Sequence, residues 1–242
     1  MKLLLIRHGD PDYEHDSLTE TGWLEAELLA DRLAKEPAEY YYVSCLGRAR
    51  DTASRTMDRL GRTAEICDWL QEFRGAAVKP NEPDGPSLAW DWLPADLAKD
   101  DRFFDADHWF EADGFLRPAI QQEYDWVCSN FDVLLEKHGY RRNGRYYEVL
   151  NRNSDTLVFF CHFGLECVLL SHLLGISPVS LWQGFCAPPS SVTTVHTEER
   201  QEGLASFRVS AFGDTSHLYC AGRKPSFHAR FCERWDDPDE RH

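Results

Sequence analysis

Two apolar runs in this chain end in the same way. Leu3-Leu4-Leu5-Ile6 stops at Arg7-His8-Gly9, and Thr156-Leu157-Val158-Phe159-Phe160-Cys161 stops at His162-Phe163-Gly164. A short, continuously apolar run that halts at polar residues predicts a strand buried on both faces. After the second halt an apolar stretch reaches Leu174 before Gly175 and Pro178, which predicts a helix. Strands that feed helices in this manner predict a three-layer α/β sandwich, with a mostly parallel central sheet flanked by helices.

The intervening segments fit the same alternation. Thr19 is placed as an N-cap with Glu20 behind it, and Leu18, Ala26, Leu29, Ala30 and Leu33 fall near one helical face ended by Pro37. Tyr40 to Cys45 reads as a strand, Arg48 to Leu60 as a helix closed by Gly61, and Ala64 to Cys67 as a third short strand. Ser191–Thr197 and Leu204–Phe212 read as two strands joined by a charged turn. Residues 80–150 break the rhythm. They open with Pro80, Pro83, Pro86 and Pro94, are rich in aromatics, and carry helical patches over 119–138. The expectation is a single domain spanning 1–242, with 80–150 inserted as a lid over the sheet edge.

The 242 residues carry a net charge of −15. That field repels nucleic acid and anionic membranes, and no stretch has the ~18 apolar residues of a membrane span. Four apolar residues before Arg7 fall short of a secretory core of about 7–15. A cytoplasmic protein is the expectation, with a homodimer left open. The eight cysteines form no Cys-x-x-Cys pair, and several lie in apolar runs, so they read as reduced structural thiols.

Arg7-His8-Gly9 brings a cation, an imidazole and a residue without a side chain to one strand end. That is chemistry for holding a phosphoryl group and attacking it. Three further segments place matching groups after strands: Arg48 at the start of a helix, Glu72 in a loop, and His162. In an open α/β sheet the residues at the C-terminal strand ends converge on one crevice. A phosphorylated small molecule is therefore the expected partner, bound by local contacts against an unfavourable long-range field.

Four elements in order resemble the histidine phosphatase superfamily, which includes the phosphoglycerate mutases. They are Arg7-His8-Gly9, Leu18-Thr19-x-x-Gly22, Ser44-x-x-x-Arg48-Ala49-x-x-Thr52 and the late His162. The resemblance spans roughly 1–79 and 155–220. It implies that His8 is the nucleophile that becomes a phosphohistidine, and that Arg7, Arg48 and His162 bind phosphate oxygens. It also implies that Glu72 is the general acid and base, a role that Glu82 or Asp91 of the lid could take instead, with His162 counted in the catalytic set and no metal or cofactor. Asp10-Pro11-Asp12-Tyr13-Glu14 and the Phe73-Arg74-Gly75 stretch depart from the mutase pattern, which favours hydrolysis of a phosphate monoester over phosphoglycerate mutase-type transfer. A binding protein without turnover is the other reading.

Overall fold

The computed structural model describes residues 1–36, 38–226, 228 and 230–240; Pro37, the expected helix stop, lies outside them. In chain order the elements are β1 (Lys2–Arg7), β2 (Pro11–Asp12), β3 (Ser17–Leu18), α1 (Glu20–Leu33), β4 (Tyr40–Ser44), α2 (Gly47–Leu60) and β5 (Glu65–Cys67). There follow β6 (Ala76–Lys79), β7 (Glu82–Leu88), α3 (Pro94–Leu97), α4 (Ala119–Lys137), β8 (Tyr140–Asn143) and β9 (Tyr146–Val149). The last are β10 (Thr156–Cys161), α5 (Phe163–Leu174), α6 (Pro178–Gly184), β11 (Val192–Gln201), β12 (Leu204–Asp214) and α7 (Ser216–Cys220).

Among the described residues one eight-stranded sheet runs β5-β4-β10-β1-β11-β12-β9-β8. The β5-β4-β10-β1 half is parallel, and from β1 outward every pairing is antiparallel. The stretches Leu3–Ile6 of β1 and Leu157–Cys161 of β10 are apolar throughout because both faces are covered. Their period of two separates two cores. Leu4, Ile6, Tyr41, Val43, Val158 and Phe160 face α1 and α2, whereas Leu3, Leu5, Tyr42, Leu157 and Phe159 join the larger cluster with α4, α5 and α6. This gives three layers, helix, sheet and helix.

Local chemistry sets the helix ends. The Thr19 hydroxyl accepts from the Gly22 amide and caps α1. α2 and α5 end at Gly61 and Gly175, both left-handed (φ 62° and 65°). Pro178 does not merely stop α5: Ser177 caps α6, whose first residue is that proline. The β11–β12 hairpin is longer than its apolar pattern indicates. Glu198 and Gln201 stay in the ladder although polar, because that end of the sheet faces solvent.

The 80–150 segment divides. α4 packs on the sheet, and β8 and β9 form a hairpin that extends the sheet past β12. The β6–β7 hairpin and the stretch to Phe115 build an aromatic stack instead. Trp92 meets Phe103 (4.9 Å between ring centroids) and Phe115 (5.6 Å), and Trp109 meets Phe115 (5.4 Å) and Trp182 of α6 (5.5 Å). Trp90, Trp92 and Trp109 are all buried in the larger core. All eight cysteines are free, and Cys67, Cys128, Cys161 and Cys167 are buried. No helix of the described residues is long and apolar enough to cross a membrane.

Candidate active site

The parallel pairing brings the two histidine halts side by side. Arg7 is in register with Cys161, and the His8 amide donates to the Cys161 carbonyl (3.0 Å), so His8 and His162 leave adjacent strands together. Their rings lie 5.1 Å apart, and the residues are 2% and 0% exposed. β4, the other neighbour of β10, ends at Ser44, and α2 carries Arg48 back to the same edge.

The hydrogen bonds define what each group can do. His8 Nδ1 lies 2.7 Å from the Gly9 carbonyl, which only an N–H can satisfy. The proton is therefore on Nδ1, and Nε2 carries the free lone pair. Burial and the Arg7 guanidinium, with Arg48 and His228 adding, hold this imidazole well below its ordinary range. It is neutral at physiological pH and able to act as a nucleophile.

His162 Nε2 lies 2.8 Å from the Ser44 hydroxyl, which already accepts from the Leu46 amide (3.2 Å). With the Ser44 proton given to Nε2, the His162 proton sits on Nδ1 and makes that atom a donor. Burial, then His8, Arg48 and Arg7, keep His162 uncharged. Its Nδ1 is buried with no protein partner, as are Arg7 Nε and Arg48 Nε. Three buried donors in one place, all lacking an acceptor, are complementary to an anion.

The two arginines are held from behind. Arg7 Nη1 donates to the Ala187 carbonyl (2.7 Å). Arg48 Nη1 donates to Asp16 Oδ1 (2.7 Å), and Asp16 Oδ2 accepts the Gly47 amide (2.6 Å) at the α2 N-terminus, where Leu46 offers no side-chain cap. Thr52 accepts from the Gly9 amide (2.9 Å) and donates to the Arg48 carbonyl (2.7 Å), which ties the Arg7-His8-Gly9 turn to α2. A Cβ on Gly9 would lie 2.8 Å from the Gly22 carbonyl, and one on Gly22 would lie 2.2 Å from the Asp10 carbonyl. The close approach of α1 to this turn accounts for both glycines.

Glu72 stands opposite. Its Oε1 accepts from the Phe73 amide (2.9 Å) and from the Leu165 amide (3.0 Å) in the first turn of α5. Oε2 is the oxygen left to carry a proton. Burial raises the carboxyl above its ordinary value, against the Leu165 amide, Arg7, the Phe73 amide and Arg48. Gly164 is required beside it, since a Cβ there would lie 2.5 Å from Trp90 and 2.9 Å from Glu72 Oε1.

All five residues singled out in the sequence, Arg7, His8, Arg48, Glu72 and His162, belong to this one cluster. Three other histidines are held in separate pairs: His15 with Asp12 on the surface, His172 with Asp132, and His217 with Ser190, whose amide donates to the His8 carbonyl (3.0 Å). Sequence reasoning missed Asp16, a loop aspartate with no motif around it. It also missed Asp10, whose amide donates to buried Glu25 (2.8 Å) and whose carboxylate takes Thr19, Ser226 and His228. Only the fold brings 226 and 228 to position 10. No group of three His, Cys, Asp or Glu side chains able to hold a metal ion occurs among the described residues.

Residues 3–97 match the model of the histidine phosphatase superfamily (branch 1), a span that contains Arg7, His8, Arg48 and Glu72. Solved structures share the fold over most of the chain. A phosphoserine phosphatase variant from Entamoeba histolytica, complexed with phosphoserine, superposes with a TM-score of 0.58 at 18% identity, covering 90% of this chain and 98% of that one. A mycobacterial glucosyl-3-phosphoglycerate phosphatase gives 0.60 at 19%, covering 88% and 99%. The α-ribazole phosphatase from Shigella flexneri gives 0.52 at 19%, covering 88% and 96%. No curated protein sequence matches the chain. The chain thus carries the histidine phosphatase fold, and its structural neighbours are phosphatases.

Proposed function

We propose that the protein hydrolyses a phosphate monoester through a phosphohistidine on His8. Nε2 of His8 attacks phosphorus in line; the Nε2–P bond forms as the ester P–O bond breaks, and the Glu72 proton goes to the leaving oxygen. Water then attacks the phosphohistidine, Glu72 takes a water proton, and phosphate departs as Nε2 recovers its lone pair. Arg7, Arg48 and Nδ1–H of His162 hold the equatorial oxygens, preorganised for the charge that develops.

The observation that carries this reading is the set of buried donors without acceptors, Arg7 Nε, Arg48 Nε and His162 Nδ1, around a neutral imidazole whose Nδ1 is already spent on Gly9. The chemistry asks for no metal or cofactor. The phosphatase neighbours lend support to hydrolysis over transfer. Incubating the chain with p-nitrophenyl phosphate in the presence of a chelator tests it. Nitrophenol release that disappears in His8→Ala is expected; release that persists in His8→Ala would refute the assigned nucleophile.

A further inference from the structure

Glu166 lies one helical turn beyond His162, and its amide donates to the His162 carbonyl (2.9 Å). The residue is 0% exposed, and neither carboxyl oxygen has a hydrogen-bond partner among the described residues. Burying a carboxyl in this way is costly, and the steps assigned to Glu72 and His8 do not use it.

Strand register shows what Glu166 faces. Leu5 of β1 pairs with Thr193 of β11, and Leu3 pairs with Val195. Leu3, Leu5 and Val195 belong to the core shared with Leu165 and Val168 of α5. Strand alternation puts Arg7, two residues after Leu5, on that same face. Burial pushes the Glu166 carboxyl up to about 8, with Thr193 and Arg7 opposing and Glu72 adding. The Thr193 oxygen accepts from the Gly213 amide (3.0 Å), so its own proton is left for the carboxyl. Cys161 of β10 and Cys167 of α5 also feel Glu166. Burial pushes both thiols well up, so they stay neutral. The charges that Glu166 meets are therefore Arg7 and Glu72. With Glu166 neutral, Arg7 keeps its full charge for an anion. An ionised Glu166 offsets that charge and adds a like charge beside Glu72.

We propose that Glu166 is a positioning residue that acts through Arg7: its proton keeps the guanidinium charge available, so oxyanion binding at Arg7 is linked to that proton. The inference rests on the phosphatase reading above. Sulfate, whose charge is constant between pH 7 and 9, is titrated into the full chain by calorimetry. Its Kd should rise about tenfold over that range, with a proton taken up on binding near the upper end. In Glu166→Gln the Kd should stay level. A merely structural role would weaken binding at every pH and leave the rise in place. Thr193→Val removes a hydroxyl that favours the ionised carboxyl, so the rise should begin at higher pH; this variant decides the matter even where Glu166→Gln does not fold. A rise that neither substitution moves, a rise abolished by Glu72→Gln instead, or a level Kd in the parent chain would overturn the Glu166 assignment alone. Absence of sulfate binding at pH 7 would overturn the phosphatase reading and this inference with it.

Discussion

Glu72→Gln separates the proton that Glu72 carries from the position it holds. The carboxyl accepts two backbone amides through a single oxygen, from Phe73 (2.9 Å) and Leu165 (3.0 Å). A glutamine carbonyl can accept the same two, so the loop and the first turn of α5 keep their tie. What is lost is the proton. A positioned acid–base group contributes ~10²–10⁴ in rate, or about 2.7–5.5 kcal/mol of barrier. The loss should depend on the leaving group. An alkyl alkoxide needs the proton, so hydrolysis of an alkyl phosphate should fall through that full range. Nitrophenolate leaves without help, so the first turnover of p-nitrophenyl phosphate should remain fast and the second step, which needs Glu72 as base, should slow. Stopped-flow absorbance would then show a burst of nitrophenolate in Glu72→Gln. Stability should move the other way. The folded carboxyl is raised by burial, so its ionisation destabilises the fold as pH rises above the unfolded value; removing it should leave Tm equal or higher at neutral pH. Equal losses on both ester types, with no burst, would refute the assignment of Glu72 as proton donor.

Three further outcomes follow from the geometry. Asp16→Ala removes the acceptor for Arg48 and for the α2 N-terminus, so it should cost about 0.5–2 kcal/mol in denaturant melts and raise KM for every ester. Gly164→Ala puts a methyl 2.5 Å from Trp90 and 2.9 Å from Glu72 Oε1, so circular dichroism should show a retained fold with lower Tm, and kcat should drop; unchanged kcat would contradict the packing argument. Burial pushes the Glu166 carboxyl up to about 8, with Thr193 and Arg7 opposing. Its folded value lies above its unfolded one, so its contribution is complete below pH ~4.5 and lost as pH rises to about 8, with ~5 kcal/mol as an upper bound. Urea melts at pH 5 and 8.5 should show a smaller difference in Glu166→Gln than in the parent chain.

The sequence made β1 and β10 legible because they are buried on both faces and stop at Arg7-His8 and His162. The same stops placed Arg7, His8 and His162, since pairing β1 with β10 brings their ends together, and Arg48 and Glu72 were legible from the strands that precede them. Two things were not legible. The β8–β9 hairpin is polar or half-buried apart from Tyr140 and Tyr147, so the sheet's far edge appears only when β12 is there to pair with β9. The supports behind the site, Asp16 and Asp10 with His228, depend on contacts across long stretches of chain, which no local pattern encodes.

The central claim is that the phosphoryl group passes through His8. Acid-labile, alkali-stable label can be trapped by base quench during turnover of a ³²P-labelled monoester and mapped by peptide mass spectrometry. The account predicts one labelled peptide, containing His8, and none in His8→Ala. Label on any other side chain, or steady turnover of labelled ester with no phosphohistidine under the same quench, would contradict it.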